Sequence, residues 1–166
     1  MKLHVKLAVL LMAAAALAMG ACAGTRDRIH APEFTAAGVD FSGVMNRDWI
    51  LSEIRSAAQT VTLDRAGHAE LFGDIFTLRF ESAMAFGVAM PNTFRGPYAL
   101  DDLQGITFGD MAVTMMAAFM EPEELNEHEF FIFLSNAFTW NLEGGNLELH
   151  TTAEDGTDTV LIFVAN

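Results

Sequence analysis

The sequence predicts an α+β domain in which a strongly curved, mostly antiparallel β-sheet, or a partly open barrel, packs against one main helix. Three observations carry this. Apolar and polar residues alternate with the two-residue period of half-buried strands over residues 76–81 and again over 138–150. One stretch reads as a substantial helix: Glu121-Pro122-Glu123-Glu124 opens it and Leu125, Phe130, Phe131, Phe133 and Leu134 give it a broad apolar face. The chain closes on Thr159-Val160-Leu161-Ile162-Phe163-Val164, apolar on both faces, as expected of a central or covered strand.

The 166 residues leave room for one domain with a sizeable core once an export segment is set aside. Lys2 and Lys6, the apolar run over residues 7–18, and Gly20 and Ala21 read as a secretory signal over residues 1–21. That run is too short for a permanent spanning helix. Met19-Gly20-Ala21-Cys22 resembles a bacterial lipobox, which makes Cys22 the expected acylation site and a lipid anchor the expected link to a membrane. The alternative is ordinary cleavage at Ala21-x-Ala23, which discards Cys22 with the leader. Cys22 is the one cysteine, so no intrachain disulfide is available and stability rests on core burial.

After the leader, 22 acidic residues face 7 basic ones, a net charge of −15. Such a surface repels phosphate backbones and anionic lipid heads, which argues against nucleic-acid binding. It serves solubility, or it forms an acidic docking face for a basic partner. Residues 22–45 show no sustained period and read as a flexible tether, with the domain spanning 46–166.

Within the domain, Asp48-Trp49-Ile50-Leu51-Ser52-Glu53-Ile54 opens as a strand anchored by an aromatic. Thr60-Val61-Thr62-Leu63 is a short strand and Asp64-Arg65-Ala66-Gly67 a turn. Met84, Phe86, Val88 and Met90 alternate with Ala85, Gly87 and Ala89, and the small-residue face allows close approach of another element or leaves space for a guest. Pro91 ends regular pairing, and Asn92 is expected to bond its own backbone in a turn. Residues 105–109 form another short strand. Residues 111–120 are nearly all apolar but half the length of a membrane span, so a buried strand or core segment is expected. Met111, Met115 and Met120 there either fill the core or line an adaptable apolar pocket. Gly144-Gly145 marks a hairpin and Glu154-Asp155-Gly156 a further reversal.

Gly87-Val88-Ala89-Met90-Pro91-Asn92 with Tyr98, then Thr114-Met115-Met116-Ala117-Ala118, together with Trp49 near the start, resemble the META domain, also called HslJ-like. The resemblance covers roughly residues 46–164 and marks Trp49, Gly87, Asn92, Tyr98, Thr114, Met116 and Ala117 as family motif positions of structural character. The family's two cysteine positions fall on Pro91 and Ala118, so its cross-link is replaced here. It implies an envelope protein, in a family linked in some members to stress or antibiotic tolerance and in others to motility, secretion or virulence.

No nucleophile elbow, phosphate loop or dinucleotide fingerprint occurs. His30, His68, His128 and His150 lack ligand spacing, and Glu127-His128-Glu129 lacks the histidine pair of a zinc helix. No catalytic residue, cofactor or metal is expected. The expected function is a non-enzymatic, lipid-anchored envelope module that binds another protein, on the outer membrane where a cell has two. The alternative is a carrier of an apolar small molecule or lipid in the barrel interior.

Overall fold

The computed structural model describes residues 40–166, so the expected leader, Cys22 and most of the expected tether lie outside the described residues. The described residues open with a single 3₁₀ turn over Phe41–Gly43, capped by the Asp40 carboxylate accepting from the Ser42 N–H at 2.9 Å. Ten strands follow: β1 (Asp48–Ser56), β2 (Thr60–Thr62), β3 (Thr77–Glu81), β4 (Met84–Val88), β5 (Thr93–Leu100), β6 (Ile106–Phe108), β7 (Ala112–Val113), β8 (Thr139–Glu143), β9 (Asn146–Thr152) and β10 (Asp158–Ala165). Helix α1 (Arg65–Leu71) lies between β2 and β3, and α2 (Glu127–Ser135) between β7 and β8.

All the pairings are antiparallel, in the order β6-β5-β4-β3-β1-β10-β9-β8, with β2 beside β1 and β7 beside β5. The two ends of that order meet. Gly105 bridges Thr139, the Ile106 N–H donates to the Phe138 carbonyl at 3.2 Å, and the Trp140 N–H donates to the Gln104 carbonyl at 3.0 Å. The sheet is thus a barrel closed along one short seam, and the expected architecture is the one observed. β10 lies between β1 and β9, as its two apolar faces require.

Burial follows the pleat. Leu78 and Phe80 of β3, Leu147 and Leu149 of β9, and Leu161 and Phe163 of β10 point into a core shared with Trp49, Phe76 and Trp140. Helix α2 adds Phe130 and Leu134, with the Phe130 ring 5.3 Å from Phe76 and 6.1 Å from Phe94. The small-residue face of β4 turns inward: Ala85 and Ala89 are fully buried, while Met84, Phe86 and Val88 are half-buried on the other side. It serves close approach. A Cβ on Gly87 would overlap the Thr77 carbonyl oxygen and lie 2.5 Å from the Phe94 ring.

Four expectations are corrected. The tether boundary at residue 45 falls too late, because Phe41 and Val44 belong to the core: the Phe41 ring lies edge-on to Trp140 at 4.7 Å and to Phe80 at 5.1 Å. Asp64-Arg65-Ala66-Gly67 is the start of α1, with the Asp64 carboxylate accepting from the Gly67 N–H at 3.1 Å. Helix α2 begins at Glu127 instead of the 121–124 cluster, because Asn126 and Glu129 form a reciprocal capping box that fixes the start. Residues 111–120 contribute only the two-residue β7 and are largely exposed, because after Val113 the chain leaves the sheet.

Phe41→Ala should lower unfolding free energy by about 3–5 kcal/mol in a urea titration, the range for emptying a buried aromatic site. A loss comparable to that of a surface substitution would show that the domain does begin after residue 45.

Candidate functional site: the Asn92 clasp and the apolar ledge

Asn92 directly precedes β5 and is 5% exposed, yet its side chain leaves its own turn and reaches two other segments. Its Oδ1 accepts from the Met116 N–H at 2.7 Å and from the Thr114 hydroxyl at 2.8 Å. Its Nδ2 donates to the Met116 carbonyl at 3.2 Å and to Glu127 Oε2 at 3.0 Å. A backbone N–H can only donate and a backbone carbonyl can only accept, so the two contacts to Met116 define the orientation of the amide. All four bonding directions of the carboxamide are used. The expectation that Asn92 bonds its own backbone is therefore corrected: it clasps residues 114–116 and the first turn of α2 to the start of β5. Thr114 completes the arrangement, its Oγ1 accepting from the Thr93 N–H at 3.1 Å and its own N–H donating to the Thr93 carbonyl at 3.1 Å.

A second anchor lies eight residues beyond Met116. His68 of α1 is buried against Phe72 and Phe76, and its Nε2 is 3.1 Å from Glu124 Oε2. The other Glu124 oxygen accepts from the Asp64 N–H at 3.3 Å. Burial on its own would raise the Glu124 carboxyl, but hydrogen bonds from its own backbone, His68 and Asp64 outweigh it and hold the group below its ordinary value. Pro122 and Leu125 on either side of these contacts are buried.

Between the anchors the side chains face outward. Met115 is 99% exposed and Phe119 101%, with Met120 at 58% and Met116 at 55%. Together with Val113 they form an apolar ledge beside α2. An open cleft of about 570 Å³ separates the two, bordered by Val113, Met115, Met116, Glu127, His128 and Phe131. An adjoining cleft of about 370 Å³ shares Val113, His128 and Phe131 and is floored by Phe108 and Met111.

The methionine pocket expected from the sequence is not assembled. Met111 is half-buried against the core, whereas Met115 and Met120 stand in the open on the ledge. Burial of an apolar segment needs a facing element, and none of the described strands covers this one. The motif positions divide by role. Trp49 donates from Nε1 to the Val44 carbonyl at 2.8 Å, and Tyr98 donates to the Ser82 carbonyl at 2.7 Å while its ring packs between Phe41 and Phe80. Burial raises the Tyr98 phenol above its ordinary value. Gly87 permits the close approach to Thr77, and Asn92, Thr114 and Met116 make the clasp. Ala117 borders the open cleft. Reasoning from the sequence put Glu127, His128 and Phe131 in the helical stretch but not at this site; the Asn126-x-x-Glu129 spacing was the signal that fixes them on its first turns.

The META domain family model matches residues 42–165. The chain belongs to the META domain family. Among solved structures, this META domain is similar to a protein from Burkholderia xenovorans determined by NMR, with a TM-score of 0.56, 20% identity, and coverage of 81% of this chain and 96% of that one. It is also similar to a crystal structure described as a DUF4847 family protein from Bacteroides vulgatus, with a TM-score of 0.53, 14% identity, and coverage of 76% and 96% respectively. These likenesses speak for the fold alone. No curated protein matches the chain. Among the described residues, no group of three or more His, Cys, Asp or Glu is placed to hold a metal ion.

Asn92→Ala should cost about 2–4 kcal/mol, because it strands the Met116 backbone and a Glu127 oxygen. Asn92→Asp should cost more at neutral pH, since a carboxylate then faces Glu127 and the Met116 carbonyl. That excess should shrink as pH falls through the carboxylate range and the introduced group regains a proton to donate. Equal stability of the two variants across the pH series, followed by urea unfolding, would contradict the clasp.

Proposed function

We propose that this META domain is the head of a cell-envelope lipoprotein, anchored through acylated Cys22 and directed to the outer membrane where there is one, and that it works by binding another envelope protein and not by catalysis. The observation that carries this is the ledge: four large apolar side chains exposed on a segment tied down through the Met116 main chain and the Glu124 side chain. Exposed apolar side chains on a segment tied down at both ends suit an interaction site, since part of the ordering entropy is already lost before binding.

Charge selects the partner. Residues 40–166 contain 20 carboxylates against 5 arginines and no lysine. Arg55 and Arg79 are already bonded to carboxylates. Around the ledge stand Asp110, Glu121 and Glu123, all exposed. A segment with apolar side chains flanked by Lys or Arg satisfies both features, whereas an anionic lipid surface is repelled. Of the carboxylates nearest the ledge, Glu124 is bonded to His68 and one oxygen of Glu127 to Asn92. The carrier reading gains no support from the interior, which is occupied by Trp49, Phe76, Phe80, Phe130 and Phe163, with the ledge methionines outside it.

Photo-cross-linking of the full chain in its native membranes tests this, with the reactive group at Ala117 and, as a control, at Leu103, a loop residue that is also exposed. The adduct from position 117 should contain a basic, apolar peptide of the partner, weaken with added salt, and fall about tenfold with Phe119→Ser, the effect of losing one apolar anchor. Equal labelling from both positions, or an adduct indifferent to Phe119→Ser, would refute the reading.

A further inference from the structure

The ledge combines three exposed thioethers with a main chain held at Met116. Of the seven methionines among the described residues, Met45, Met84, Met90 and Met111 are half-buried, whereas Met115, Met116 and Met120 are exposed. The Met116 main chain is held on both its N–H and its carbonyl by Asn92, so its side chain projects without any backbone opening. From this geometry we infer that Met115, Met116 and Met120 form a reversible oxidation site that regulates the docking face, with peroxides as the oxidant class. The regulatory half of this inference rests on the docking role proposed above. The chemical half does not.

The step is a two-electron oxygen transfer. A sulfur lone pair attacks one peroxide oxygen, the S–O bond forms as the O–O bond breaks, and the departing hydroxide takes up a proton to leave as water. Reversal consumes two thiols of a sulfoxide reductase, which become a disulfide as the oxygen departs as water. Each oxidation converts a flexible apolar side chain into one carrying a strong hydrogen-bond acceptor. An acceptor of that kind on Met115 or Met116 draws water to the surface that an apolar partner would have to dry. The fold need not change, because none of the three side chains contributes to the core. Phe119, fully exposed and chemically inert to peroxide, stays as it is and marks the patch as partly retained.

The test treats the purified full chain with graded hydrogen peroxide, maps each methionine by peptide mass spectrometry, and compares thermal unfolding before and after. Met115, Met116 and Met120 should each gain one oxygen about tenfold faster than Met45, Met84, Met90 or Met111, with unfolding unaltered, and a methionine sulfoxide reductase should remove that oxygen. Uniform oxidation of all seven, or oxidation that proceeds only with unfolding, would overturn the assignment of the site. In the second arm, chains carrying the Ala117 photo-probe are cross-linked with and without prior oxidation. The adduct should be lost on oxidation and regained after reductase treatment. An adduct that depends on Phe119 but is unaffected by sulfoxidation would overturn the regulation while leaving the docking role intact. An adduct independent of Phe119 in the reduced protein marks the failure of the docking reading itself.

Discussion

A single buried carboxamide holds the candidate site together. Asn92 spends all its hydrogen-bonding capacity on two other parts of the chain, and no residue of similar size offers two donors and two acceptors in one plane. Because Met116 is gripped through its main chain, the side chain at that position is unconstrained by the clasp. The consequence is a main chain held at Met116 beside apolar side chains that are nonetheless in water. Either property alone is common. Their combination is what turns a stretch of Met, Ala and Phe into a surface with a shape.

The barrel makes such a segment affordable. Its closure leaves one short seam between β6 and β8, and its interior is filled by aromatic side chains from both halves of the sheet and from α2. Core burial therefore does not need residues 113–120, and removing their side chains from water is left to another molecule. The same economy appears in α1. His68 is committed to Glu124, which fastens the far end of the ledge to a helix that precedes β3 in the chain. Acidic surface charge adds the remaining constraint, favouring a cationic approach over an anionic one.

What could be read from the sequence was whatever local periodicity controls. Alternation at Leu78 and Phe80, at Leu147 and Leu149, and along β10 placed strands and faces correctly, because the two-residue pleat ties composition to direction. The motif residues Trp49, Gly87, Asn92 and Tyr98 were legible as a set, although the role of Asn92 was not. An asparagine after proline looks the same whether its amide turns back on its own loop or reaches residues 22 and 24 positions away. Residues 111–120 misled for a related reason: composition reports a preference for burial, and only the tertiary arrangement supplies a covering element. The early helix start followed from reading Glu121 and Pro122 by their charge and ring, when Asn126 and Glu129 held the stronger capping geometry. Phe41 was lost in a segment whose surroundings are small and polar, since one buried aromatic carries no period.

Amide hydrogen exchange at Met116 tests the central claim most directly, because it reads the backbone of a residue whose side chain is exposed. The account predicts strong protection at that N–H in the intact protein and exchange near the unstructured rate in Asn92→Ala, with the amides of β1 and β10 still protected in both. Rapid exchange at Met116 in the intact protein would mean that the ledge is an ordinary mobile loop and that the clasp does not order it.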